Sequence, residues 1–262
     1  MKTNLKKIIA SETYLWLFLL LCAALVCLLP PLPLPLSYHD FADKRDCLGI
    51  PYVGDVLSNF PFALIGLYGL WVVRATFKTH QYSLYTEQSH GLQYATLFFS
   101  GLVLTSLSST YYHLKPDDMG LAVDRLGMVF VFAGLLGLAS GRFAKHRIVC
   151  HIMLFSVLFG MVGVAFGYAL NNHLPWTLLQ ISGVLLLGYS VFLPKPINGL
   201  PISLLSIAVL YGIAKLFEWG DGFVFEFTQH NISGHTLKHI VASFVGIPVI
   251  FAIKNTKNMI KF

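Results

Sequence analysis

Three histidines in this chain have a spacing that suits a metal ion. His235 and His239 lie four residues apart, so on a helix they project from one face, one turn apart. His113 ends another apolar segment at the same predicted membrane level. Three imidazole ligands leave a fourth coordination position open, which is typical of catalytic rather than structural zinc sites. We therefore predict a zinc site on His113, His235 and His239.

Two further polar side chains are predicted at the same membrane level. Ser109 precedes His113 by four residues and shares its helix face, and Asp124 lies near the start of the next apolar segment. Zinc lowers the pKa of a bound water towards about 7, so a carboxylate could accept or return a proton and a hydroxyl could stabilise a developing oxyanion. We interpret Asp124 and Ser109 as catalytic. Taken singly, Ser109 could be a helix-packing hydroxyl, and Asp124 could be a helix cap or a partner of Arg125.

The composition indicates that these residues belong to a membrane protein. Of the 262 residues 56% are hydrophobic and only 11% are charged, and the mean hydropathy is +0.69. A soluble domain carries about 25% charged residues. The net charge of +6 arises from basic residues between apolar runs, a pattern that suits lipid headgroups and disfavours nucleic-acid binding.

Apolar runs divide the chain into eight segments, each near the ~20 residues that a helix needs to cross the hydrocarbon. The sequence therefore predicts an all-α, polytopic membrane protein with short loops. The predicted spans are Tyr14–Leu34, Val56–Val73, Gly91–Tyr112, Leu121–Ser140, Ile148–Leu170, Pro175–Leu193, Leu200–Leu216 and His235–Ile253.

The distribution of basic residues predicts the orientation. With the N-terminus inside, only Lys44, Arg45 and Lys115 of the 18 Lys and Arg residues fall outside, a few fall within spans, and the others fall inside. The positive-inside rule then predicts cytoplasmic termini and a histidine site towards the extracytoplasmic side. The first run is long and ends in prolines rather than a small-residue cleavage site, which favours an uncleaved anchor helix over a signal peptide.

The polar motifs also resemble a known family. Ser109-Thr-Tyr-Tyr-His113, Asp124 and Gly234-His235-Thr-Leu-Lys-His239 resemble the motif set of the alkaline ceramidases, in the CREST superfamily of seven-helix membrane hydrolases. The segment from Phe41 to Phe62 is similar to the bacterial branch of that group.

This resemblance implies a specific architecture and activity. Residues 37–262 would form a ceramidase-like seven-helix bundle, and residues 1–36 a basic tail with one extra N-terminal transmembrane helix. Zinc would bind His113, His235 and His239, with Asp124 and Ser109 around the zinc-bound water. The expected reaction is cleavage of the amide bond of a ceramide-like N-acyl lipid to a fatty acid and an amine.

A calcium site is a weaker implication of the same resemblance. Eukaryotic alkaline ceramidases carry an acidic N-terminal calcium site, and this chain has aspartates in the corresponding loop. Their order does not match the family cleanly, and calcium requires six or more oxygen ligands. A solvated acidic loop is an equal alternative, so no calcium ligands are assigned. The aspartates concerned are Asp40, Asp43, Asp46 and Asp55.

Two alternatives to an enzyme follow from the same residues. A receptor-like or structural zinc protein could use the histidines to join two helices and bind lipid without appreciable turnover. A transporter is disfavoured because the polar cluster lies at helix ends and no inverted repeat is evident. The exact lipid, amide or ester preference and oligomeric state stay open.

Overall fold

The structure is a computed structural model that describes residues 20–80, 87–193 and 200–259, together with Thr13 and Leu17. In these ranges every regular element is a helix. The one β-type pairing is the isolated bridge between the backbones of Cys47 and Ile50. The prediction of an all-α fold is therefore confirmed.

The helices follow the predicted apolar runs closely. We number them in chain order, beginning with α1, whose described part spans residues 20–28; most of the earlier part of the first predicted span lies outside the described residues. The others are α2 (Val53–Leu57), α3 (Phe60–His80), α4 (Glu87–Leu114), α5 (Asp118–Ser140), α6 (His146–Leu170), α7 (Leu174–Val191), α8 (Leu204–Trp219), α9 (Asp221–Phe227), α10 (Gly234–Ser243) and α11 (Gly246–Met259).

Five helical segments are long and apolar enough to cross a membrane, as expected of an integral membrane protein. Helix α8 has only 16 residues and α4, although 28 residues long, is less apolar. The count of seven spans plus an extra one therefore stays a prediction. The five segments are Val53–Lys78, Asp118–Ser140, His146–Leu170, Leu174–Val191 and Gly234–Asn255.

The last predicted span contains a break that the sequence analysis did not predict. Helix α10 ends at Ser243 and α11 begins at Gly246. Pro248 lies one turn after the break. A proline has no amide hydrogen and its ring collides with the carbonyl four residues earlier, which here belongs to Phe244. The interruption separates the histidine-bearing α10 from the rest of the span.

Close packing of α4 against α5 forms the centre of the bundle. A Cβ atom on Gly134 of α5 would lie 2.4 Å from the backbone nitrogen of Phe98, and one on Gly101 of α4 would lie 2.3 Å from that of Val131. Glycines at these positions allow the two backbones to approach, as small residues do in membrane helices. This contact positions the ends of α4 and α5, which carry His113 and Asp124.

The proline-rich segment after α1 is attached to the bundle. Leu32 N donates to Asn172 Oδ1 at 3.1 Å, and Leu34 N donates to Asn171 Oδ1 at 3.0 Å. Leu32 O in turn accepts from His173 N at 2.8 Å. Both leucines precede the predicted domain boundary at residue 36. Their bonds connect the proline-rich segment to the turn between α6 and α7.

We predict that Gly134→Ala destabilises the folded protein by about 1–3 kcal/mol, because backbone atoms cannot yield to the new methyl group. Gly188→Ala is the matched control, since a Cβ atom there meets nothing within 4 Å. Thermal unfolding in detergent, followed by circular dichroism, measures both variants. Equal stability of the two would contradict the proposed α4–α5 contact.

Candidate metal centre

The three predicted histidines meet at one end of the bundle. His113 lies in the last turn of α4, and His235 and His239 lie on α10. One ligand atom from each lies within 4.8 Å of the others. The Nε2 atoms of His113 and His235 are 3.3 Å apart, while two nitrogen ligands at tetrahedral zinc are separated by about 3.3–3.4 Å. Since all three side chains are buried, the group forms a site that could bind a metal ion.

The start of α10 fixes the direction of its two histidines. Ser233 caps the helix by accepting a hydrogen bond from Thr236 N at 3.0 Å. Asp221 accepts from His235 N at 2.8 Å through Oδ1 and from Ala42 N at 3.0 Å through Oδ2. One carboxylate therefore joins the helix start to the loop that follows α1.

Ser58 determines which nitrogen of His239 is free. The Ser58 hydroxyl donates to the Asp55 carbonyl oxygen at 2.9 Å and lies 2.8 Å from His239 Nδ1. Because a hydroxyl has one hydrogen, Ser58 Oγ must accept the hydrogen of His239 Nδ1. The Nε2 lone pair then remains for a metal, the arrangement that outer partners impose on histidine ligands. Sequence spacing did not indicate this role of Ser58, because its partner His239 is 181 residues away.

Asp124 and Ser109 lie beside the histidine group. Asp124 interacts electrostatically with Ser109 and Lys238. Lys238 Nζ is in turn 3.1 Å from His235 Nε2. The Asp124 Oδ1 atom is buried and has no hydrogen-bond partner. Asp124 is not a member of the ligand group itself.

A partly buried group of three charges that the sequence did not indicate adjoins the site. Lys238 Nζ donates to Glu218 Oε1 at 3.2 Å, and the other Glu218 oxygen accepts from Lys215 Nζ at 2.5 Å. An imidazole nitrogen that binds a metal has no lone pair left for Lys238, whose remaining partner is then Glu218. The carboxylate thus neutralises a cation that would otherwise oppose a metal ion.

An aromatic side chain covers the site. The Phe41 ring centroid lies 4.8 Å from that of His113 and 4.4 Å from that of His235. Phe41 also contacts Tyr112 and Tyr52 through edge-on ring contacts. The loop after α1 therefore closes the histidine group off from bulk water, which strengthens electrostatic interactions inside it.

The four aspartates considered for calcium do not form one site. In the described part of the chain, the three histidines are the one group of three or more His, Cys, Asp or Glu side chains that could hold a metal. Asp40 pairs with Lys44, Asp46 accepts from Gly49 N at 3.1 Å, and Asp55 accepts from Thr236 Oγ1 at 2.7 Å. We therefore assign none of the four aspartates as a calcium ligand.

The alternative of a solvated acidic loop is only partly right. Asp55 is fully buried, as is Asp43, which accepts from Arg45 Nε and Nη2, both at 2.7 Å. Burial by itself raises the pKa of Asp43, but the hydrogen bonds and charge of Arg45 outweigh it and leave the pKa below its usual value. Asp55 thus holds α2 against the histidine-bearing α10 through Ser233 and Thr236, whereas Asp43 binds Arg45 within the loop.

No model of a known protein family matches the chain, and no curated protein sequence matches it.

We predict that Ser58→Ala weakens zinc binding about 10–100-fold, because His239 loses the partner that fixes its tautomer. Ser243→Ala is the control: Ser243 is buried on the same helix as His239, but its hydroxyl donates to the Ile240 carbonyl of its own helix. Competition with a chromophoric chelator measures the affinity. A Ser58→Ala protein that binds zinc as tightly as the control would refute the assigned role.

Proposed function

We propose that this chain is a zinc-dependent intramembrane hydrolase that cleaves the amide bond of a ceramide-like N-acyl lipid to a fatty acid and an amine. The observation that carries the proposal is a buried group of three imidazoles with ligand atoms within 4.8 Å of one another. The carboxyl group of Asp124, which interacts electrostatically with Ser109 and Lys238, adjoins it.

The donor set supports zinc as the metal. Three neutral imidazoles suit zinc, copper, iron or nickel rather than calcium or magnesium, and three ligands with an open position are typical of hydrolytic zinc sites. Zinc bound there would polarise a substrate carbonyl and lower the pKa of a water molecule. A ligand role for His113 is supported by its Nε2 atom, which lies 3.3 Å from His235 Nε2.

Asp124 is the proposed general base and acid. Its carboxyl group interacts electrostatically with the Ser109 hydroxyl, and its free Oδ1 atom can accept a proton from the attacking water. The same oxygen then returns the proton to the leaving amine, since hydrolysis of an amide requires protonation of its nitrogen. Ser109 also provides a hydroxyl that can stabilise the developing oxyanion.

The position of the site supports a lipid substrate. The three histidines lie at helix ends, where the amide of a sphingolipid-like molecule would sit at the membrane interface and its chains would extend along the helices. The positive-inside rule predicts that this end is extracytoplasmic and that both termini are cytoplasmic. The partners expected are therefore the bilayer and a ceramide or other N-acyl lipid.

We predict that removal of zinc abolishes hydrolysis of a labelled ceramide. Dialysis against a strong chelator, with the zinc content checked by elemental analysis, should give an inactive protein. Stoichiometric zinc should restore activity, whereas calcium should not, because calcium prefers oxygen ligands. Hydrolysis by a protein shown to be free of metal would refute zinc catalysis.

We predict that Asp124→Asn lowers kcat about 10²–10⁴-fold, the usual contribution of general acid–base catalysis, and leaves zinc binding intact. Glu226→Gln is the control because Glu226 is an exposed acid paired with His230. Zinc content and turnover are measured on the same preparations.

The second candidate is a receptor-like or structural zinc protein, which the cover of Phe41 over the histidines favours. A structural site does not need Asp124. If the wild-type protein binds zinc and lipid but cleaves neither amide nor ester lipids, this second function replaces the first.

A further inference from the structure

A second polar site lies at the same end of the bundle. A depression between α5, α6 and the start of α7 is lined by Arg125, His173, Tyr168 and Asp118, among others. None of these residues belongs to the histidine group. We call this feature the Arg125 depression.

Arg125 carries a buried charge that interacts electrostatically with Asp124 but whose hydrogen-bond partners are neutral. Its side chain is 6% exposed. It contacts His173 Nδ1 and the Tyr38 hydroxyl, and its guanidinium lies 5.4 Å from the centre of the Trp176 ring. No ion pair found among the described residues includes Arg125. A buried charge without a direct ion pair is costly in a membrane protein and indicates a functional partner.

His173 offers a second hydrogen-bond donor in the same place. A guanidinium can only donate, so His173 Nδ1 accepts from Arg125 and the ring hydrogen is on Nε2. Burial and the neighbouring Arg125 lower the pKa of His173 to about 4, which keeps the ring neutral near pH 7. The described hydrogen bonds of its side chain involve Nδ1 alone, so Nε2–H remains available to a ligand.

The absence of a side chain at Gly167 allows the contact between His173 and Arg125. A Cβ atom on Gly167 would lie 2.6 Å from His173 Nδ1 and 3.6 Å from an Arg125 guanidinium nitrogen. His173 also precedes α7, an 18-residue helix whose positive end is at the depression. A buried cation, a neutral N–H donor and a helix start therefore converge, which is the chemistry of anion recognition.

We propose that the Arg125 depression binds a phosphate group, supplied by the headgroup of a membrane phospholipid. Arg125 donates to the phosphate oxygens and His173 Nε2–H donates a further bond. Asp118 stands at the rim, where its side chain is 73% exposed and pairs with His39 at 3.1 Å. A headgroup that carries an ammonium beyond its phosphate would meet both charges. This binding does not depend on the proposed hydrolase activity.

Binding of three ligands to the purified full-length protein in non-ionic detergent tests the proposal. Native mass spectrometry compares a short-chain phosphatidylethanolamine, a diacylglycerol of the same chain length and inorganic phosphate. We expect the phospholipid to bind at least tenfold more tightly than the diacylglycerol. Equal affinities for these two would overturn the phosphate site, and tighter binding of inorganic phosphate would overturn the lipid headgroup as its source.

Variants assign the binding to the depression. Arg125→Met should weaken phospholipid binding at least tenfold, and Arg125→Lys less, because a lysine retains the charge but loses the forked geometry. Lys115→Met is the control: Lys115 is an exposed cation at the same end that pairs only with Asp117. Unchanged binding in a folded Arg125→Met protein would overturn the proposal.

A further variant covers the case in which Arg125→Met does not fold. His173→Phe keeps a ring of similar shape and removes both nitrogen atoms. We expect it to weaken phospholipid binding severalfold and to leave zinc binding unchanged, since His173 is not in the zinc group. Phospholipid binding equal to that of the wild type would overturn the role of His173.

Discussion

Three neutral imidazole rings in mutual contact, enclosed at a helix end, impose the main constraint on this protein. Their centroids lie only 4.7–4.9 Å apart, so their hydrogen atoms and lone pairs must be arranged without help from bulk water. Outer partners supply that order: Ser58 orients one ring, and Asp221 holds the backbone of another. Contacts of this kind position the loop after α1, helix α2 and the start of α10.

Charged groups are distributed unequally between the two ends of the bundle. At the histidine end, Lys238, Glu218 and Arg125 all interact electrostatically with Asp124, while the hydrogen-bond partners of Arg125 are neutral. At the opposite end, Arg142 donates to the main-chain oxygens of Ser190 and Leu193 at 3.0 and 3.2 Å. Carbonyls that the helix ends leave free thus satisfy one arginine, whereas the other lacks an equivalent acceptor.

The position of the histidine group near the membrane interface indicates which kind of substrate could reach it. A metal group enclosed by apolar side chains would be hard for a water-soluble substrate to reach, but a lipid amide can approach from the membrane interface. The Phe41 cover and the loop that carries it then limit access from the aqueous side. The adjoining Arg125 depression would place a phospholipid headgroup beside that interface, since Arg125 directly follows Asp124 in α5.

The sequence by itself determined the features that depend on local spacing. Apolar runs predicted the helices, and the four-residue spacing of His235 and His239 predicted their shared face, because helix periodicity is local. Family resemblance and membrane level suggested His113 as their partner, but only the tertiary structure brought it within reach across 122 residues. Ser58 and the burial of Asp55 could not be predicted, since hydrogen-bond partners distant in sequence leave no trace in spacing. Folding alone decides which polar groups meet in an apolar interior.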